Sequence, residues 1–229
     1  MKKTFYILYA FTFLCFFLFS GCSKSTSSGN NGGGGSTSVS DLVANFVNTN
    51  SSTGASTTYT FTYDGQNRLI QEQISDGTPT TSYTYGTGTV TQTQGTTTTI
   101  YTLNNAGFAA SDNQGNTFTY DGDGYMTNET NPNGASTVNT ISNSNIVSTV
   151  QTTSGGTTTS YSFTFNGSPN SLKFGRTFLG ADDKNLIQTE GINGVSYPFT
   201  YTFDSHGRVA TEKIVSGPTT LLRTYTYIN

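Results

Sequence analysis

Six short runs in which an aromatic residue alternates with Thr or Ser constrain the fold more than any other feature of the chain. They are "YTFTY" (Tyr59 to Tyr63), "YTY" (Tyr83 to Tyr85), "FTY" (Phe118 to Tyr120), "YSFTF" (Tyr161 to Phe165), "FTYTF" (Phe199 to Phe203) and "YTY" (Tyr225 to Tyr227). Side chains on a strand point alternately to its two faces, so each run places rings on one face and hydroxyls on the other. A helix would scatter the rings around its surface, and both residue types favour extended backbone. The chain therefore reads as all-β.

Almost every run leads into a turn: "YDGQNRL", "LNNAGFA", "YDGDGYM" and "FDSHGRV", with weaker forms at "YGTGTV", "FNGSPNSL" and "DKNL". The leading Asp or Asn can accept hydrogen bonds from amides two residues on, and the late Gly or Asn tolerates the positive φ that closes the turn. This pattern predicts structural roles for Asp64 and Arg68, Asn104 and Gly107, Asp121 and Gly124, and Asp204, Gly207 and Arg208. Taking Asp64, Gly86, Asn104, Asp121, Asn143, Asn166, Asp183 and Asp204 as turn heads gives a repeat of about twenty residues, two strands per unit. The expected fold is an antiparallel meander of about eight hairpins, forming a curled open sheet or a barrel. The segment from Asp41 to Asn50 also fits a helical stripe, but its place before the first repeat favours a strand paired with "STTYTFTYD".

The N-terminus reads differently. Lys2 and Lys3 precede an apolar run from Phe5 to Phe19 and then "SGC", the pattern of a secretory signal. "LFSGC" resembles the lipobox of bacterial lipoproteins, with Phe19 where that family usually has Leu, which implies cleavage after residue 21 and acylation of Cys22. The only other cysteine, Cys15, lies within the apolar run, so the mature chain would hold no disulfide. Residues 23–38 are a Ser, Asn and Gly tether with a reach of about 22 Å. The predicted organisation is residues 1–21 as signal, 22–38 as lipidated Cys and tether, and 39–229 as one β domain.

The Tyr-Asp turns resemble YD repeats, the units of the RHS group of bacterial surface and secreted proteins. The likeness is fullest at Phe203, Asp204, Gly207 and Arg208 and at Tyr63, Asp64 and Arg68, and at Tyr120, Asp121 and Gly124 the Arg is replaced by Tyr125. As a whole the chain is similar to small lipid-anchored Bacteroidota proteins with a porin-like domain of unknown function. That resemblance implies a β-rich curled sheet or barrel and an outer-membrane lipoprotein, facing the periplasm or the surface.

Ten Lys and Arg, two of them Lys2 and Lys3, stand against thirteen Asp and Glu. An acidic balance argues against nucleic acid as a partner. The single histidine, His206, occupies a turn without an evident nucleophile or orienting group. "DGDG" offers Asp121 and Asp123 but lacks the next ligands of a calcium loop, so no metal or cofactor is assigned and calcium there stays open. Glu72, Glu129, Glu190 and Glu212 follow turns, where solvated strand positions are expected. The predicted function is a lipid-anchored, non-catalytic binding or scaffold protein of the cell envelope, contacting a glycan or a protein. The alternatives are a glycan-active hydrolase and an outer-membrane pore, the latter set against strands shorter than a membrane barrel needs.

Overall fold

The structure, a computed structural model, describes residues 41–228; the signal, Cys22 and the tether lie outside them. Sixteen strands follow one another: β1 Val43–Asn50, β2 Ser56–Tyr63, β3 Leu69–Ile74, β4 Thr81–Gly86, β5 Thr89–Gln94, β6 Thr97–Leu103, β7 Ala109–Asp112 and β8 Thr117–Tyr120. They continue as β9 Met126–Thr130, β10 Ser136–Ser142, β11 Asn145–Thr152, β12 Thr158–Pro169, β13 Asn185–Ile192, β14 Val195–Phe203, β15 Val209–Ser216 and β16 Thr219–Tyr227. Each pairs antiparallel with its neighbours in sequence, and β1 also pairs with β16. The sheet is thus a closed barrel, and closure leaves no exposed edge. The segment from Val43 to Asn50 is a strand paired with β2, with no helix in it.

The aromatic runs sort by face as their alternation requires. Phe61, Tyr83, Phe163, Phe199 and Tyr225 are buried inside the barrel. Their neighbours Thr60, Thr62, Thr84, Ser162, Thr164, Thr200, Thr202, Thr224 and Thr226 point outward and are exposed. Many inner Tyr hydroxyls are satisfied by carbonyls at the start of the preceding odd-numbered strand. Tyr63 donates to Val43, Tyr85 to Leu69, Tyr201 to Ile187 and Tyr227 to Val209, at 2.7 to 2.8 Å. The rings therefore fill the interior while their polar tips lace adjacent strands together.

Two expected turn heads take other places. Asn166 lies within β12, and Asp183 falls near the end of a long connection, residues 170–184, between β12 and β13. Strand lengths also vary more than an even repeat implies, from four residues in β7 and β8 to twelve in β12. Turns of the same chemistry occur at the opposite rim, where the repeat was not read. Asp112 accepts from the amides of Gln114 and Asn116, and Gly115 and Gly134 have positive φ.

The long connection supplies the core that the strands alone leave unfilled. It carries Phe174, Arg176 and Phe178, all buried, and one 3-10 turn, Thr177–Leu179. Phe174 packs edge-on against Phe46 and Phe61, and Phe178 lies against Tyr83, Tyr85 and Tyr101. Burying two such rings contributes about 1.5–3 kcal/mol each. One end of the barrel is thereby plugged from within.

Candidate functional site

The plugged end is the rim that carries the Tyr-Asp turns, and the described chain both begins and ends there. The connection bonds around this rim: Val43 N to Lys173 O, Leu69 N to Gly175 O, Ala181 N to Gly124 O and Lys184 N to Ser144 O, all at 2.8 to 3.0 Å. Two glycines allow such close approach. Gly175 (φ +65°) and Gly180 (φ +113°) would each set a Cβ 2.8 Å from a backbone oxygen, of Asn67 and of Gly124 respectively. Arg176 reaches inward and forms a buried ion pair with Glu72 of β3.

The placement of Glu72 belongs to a pattern. At the β2–β3, β6–β7, β8–β9 and β14–β15 hairpins the register shifts by one residue just after the turn. Such a bulge reverses which face the following residues occupy. After each apolar first residue, Leu69, Ala109, Met126 and Val209, the acid three positions on consequently faces the interior: Glu72, Asp112, Glu129 and Glu212. Glu190 of β13 joins them, opposite the inward-facing Phe163 and Tyr197. The expectation that Glu72, Glu129, Glu190 and Glu212 occupy solvated positions is overturned. Glu72, Glu190 and Glu212 are 6%, 2% and 4% exposed, and Glu129 is half-buried.

Electrostatics within the barrel follow from this crowding. Glu212 accepts from Arg223 at 3.1 Å and from the Tyr225 hydroxyl. Burial pushes the Glu190 carboxyl up to about 7; Arg223 pulls it down and Glu212 pushes it further up. Burial raises Glu129 as well, with Asp112 adding to it. At the plug, burial lifts Asp182 to about 7 despite Lys173 at 3.5 Å.

Toward the opposite end the described interior turns polar. Gln92 accepts from the Tyr101 hydroxyl, Gln151 from Tyr161, and Asn139 from Thr149. Asn48, Gln92, Asn139, Gln151, Tyr161 and Tyr197 are half-buried there. Among the described residues the barrel is a cup whose floor is filled by Phe174, Phe178 and the Arg176–Glu72 pair, with acids along its wall and amides, hydroxyls and Tyr rings toward its mouth. A cup of this composition can bind a ligand of mixed polar and apolar surface.

The residues predicted from the turn pattern are not gathered at this cup. Asp64 accepts from the amides of Gln66 and Arg68 and from the Arg68 guanidinium, which lies 4.2 Å above the Tyr85 ring. Asp204 repeats this with His206, Arg208 and the Tyr227 ring. Asn104 accepts from Ala106 and Phe108, and Asp121 from Asp123 and Tyr125, while Gly107, Gly124 and Gly207 take positive φ. Each set lies on the plugged rim, with Arg68 and Arg208 also reaching the rings of the strands beside them. No group of three or more His, Cys, Asp or Glu is arranged to hold a metal ion among the described residues. The acids of the cup are what sequence reasoning missed, although the spacing of turn, apolar residue and acid three positions on was there to find.

Two solved structures resemble this barrel. A porin-like protein from Bacteroides uniformis ATCC 8492 shares 18% of its sequence at a TM-score of 0.61, over 81% of this chain and 98% of that one. A porin-like protein from Bacteroides vulgatus ATCC 8482 shares 10% at a TM-score of 0.57, over 82% of this chain and 98% of that one. The chain is thus an all-β antiparallel meander closed into a sixteen-stranded barrel with porin-like structural neighbours. No protein-family model matches the sequence, and no curated protein does. The YD-repeat resemblance rests on the Tyr-Asp turns alone.

Proposed function

We propose that this protein is a lipid-anchored, non-catalytic binding module of the cell envelope, whose ligand, a glycan or a segment of an envelope protein, enters the mouth of the cup. Porin-like neighbours support an envelope or outer-membrane association. The observation that carries the reading is polarity: Phe174 and Phe178 fill the floor, and Tyr, Gln and Asn line the interior toward the mouth. The described chain begins at the plugged rim, so a lipid on Cys22 would tether the domain from that end.

The pore alternative draws on the porin-like neighbours. Against it stands the outer wall, where Thr and Ser dominate and few large apolar residues are exposed, among them Ile100, Leu222 and the cross-strand pair Val138 and Val150. A lipid-embedded barrel needs an outward apolar band. The hydrolase alternative draws on Glu190 and Glu212, whose surroundings differ in the way paired acids require. Glu212, however, is already held by Arg223 and Tyr225.

The test is affinity capture from an envelope extract with the purified protein, compared with its Tyr161→Ala/Tyr197→Ala variant and with a tether-only control. Retention of a defined glycan or protein that is lost in the variant is expected. Equal retention by all three would reject the binding reading. Ion conductance in planar bilayers would replace it with the pore, and release of reducing sugar from a retained glycan with the hydrolase.

A further inference from the structure

We infer that the cup holds a site for a small organic ammonium group, centred on Glu190 and walled by Phe163 and Tyr197. This deepens the binding reading above and rests on it. Glu190 is 2% exposed, yet its Oε1 has no hydrogen-bond partner among the described residues. A buried carboxylate oxygen without a donor is costly, because its lost hydration is not replaced. Its neighbour Glu212 does not share the difficulty, since Arg223 and Tyr225 donate to it.

The surroundings define the donor that fits. Phe163 and Tyr197 stand directly across from Glu190 on the two adjacent strands, so their rings flank the carboxylate within the reach of cross-strand neighbours. An aromatic wall beside a carboxylate favours a cation. A negative charge with an unpartnered acceptor beside rings calls for a positively charged group carrying N–H donors. A primary ammonium has three such donors and a hydroxyl only one. Arg223 is turned to Glu212, and the acids of the cup, Glu72, Asp112, Glu129, Glu190 and Glu212, outnumber its arginines, Arg176 and Arg223.

The experiment is calorimetric titration of the full-length protein in a neutral detergent with n-butylammonium, using n-butanol and tetramethylammonium as comparators. Saturable binding of butylammonium alone is expected, weakened at least about tenfold by Glu190→Gln. Wild-type protein should also bind more weakly at pH 6 than at pH 8, because Glu190 must be ionised to hold the cation. The titratable groups that act on Glu190 or face it are Glu212, Arg223, Tyr161 and Tyr197. Of these only Glu212 shares its carboxylate chemistry, and a Glu212→Gln variant, with Arg223 still present, separates the two. Absence of saturable heat, equal binding of n-butanol, or full affinity in Glu190→Gln would overturn the inference. If envelope capture succeeds while butylammonium fails, the ammonium site is lost and the binding function stands. If capture and titration both fail, both are lost.

Discussion

Arg176 and Glu72, 104 positions apart in the chain, form a buried ion pair that ties the plug to the barrel wall. Each side chain is 8% exposed. Removing one partner leaves the other charged and desolvated, which typically costs about 3–5 kcal/mol. Arg176→Met should therefore destabilise strongly in denaturant unfolding. Glu72→Gln combined with Arg176→Met should recover much of the loss, since no unpaired charge is then buried. A double variant as unstable as the single one would show that Arg176 acts through packing alone.

Gly180 sets how closely the plug approaches the wall. An added Cβ would lie 2.8 Å from the Gly124 carbonyl and 3.0 Å from the Tyr120 ring, at φ +113°. Gly180→Ala should cost about 1–3 kcal/mol and speed hydrogen exchange at the Ala181 amide, which bonds to Gly124. Gly65→Ala, where a Cβ meets nothing within 4 Å, is the matched control. Equal effects at the two positions would refute the role given to Gly180.

The two complete Tyr-Asp turns predict an order of severity. Asp204 organises its turn through two amides and the Arg208 guanidinium, so Asp204→Ala should cost about 1–2 kcal/mol. Asp204→Asn keeps an acceptor for the amides and should cost less. Arg208→Lys retains the charge but loses the stack over Tyr227, a loss of about 0.5–1 kcal/mol. Thermal unfolding of the three variants ranks them, and a larger loss from Arg208→Lys than from Asp204→Ala would contradict the assignment.

Stability should pass through a maximum near pH 4. Burial raises Glu190 and Asp182 to about 7 and Asp183 to about 6. Between their ordinary values near 4 and these raised ones, the folded state holds protons that the unfolded state has released. Stability therefore falls as pH rises through that window, by about 1–3 kcal/mol per group. Asp64 and Asp204 act in the opposite sense. Slight desolvation opposes their ionisation, but hydrogen bonds from Arg68, Arg208 and the turn amides outweigh it and hold both carboxyls below their ordinary range. Their contribution is present above pH 4 and disappears on acidification. Melting temperatures at pH 3, 5 and 8 check this, and a higher value at pH 8 than at pH 5 would refute the placement of these acids.

Much of the architecture was legible because it is local. Rings at Tyr59, Phe61 and Tyr63 alternate with Thr60 and Thr62, and that order by itself commits the segment to a strand with one apolar face. Asp64 and Asn67, or Asp204 and Gly207, encode their turns within five residues, because the bonds they make are to their own amides. The cup was less legible. Glu72 and Glu212 look solvated when alternation is counted from the turn, and a single extra residue at each bulge reverses their direction. That reversal depends on the register of the partner strand, which no local pattern states.

The β class, the sorting of rings from hydroxyls and the chemistry of the turns are set locally, since they follow from side-chain period and backbone preference within a few residues. Closure into a barrel, the folding of residues 170–184 into its lumen, the Arg176–Glu72 pair and the inward set of acids were decided by tertiary structure. Each requires contact between segments far apart in the chain, where the gain comes from burying Phe174 and Phe178 among rings contributed by several strands.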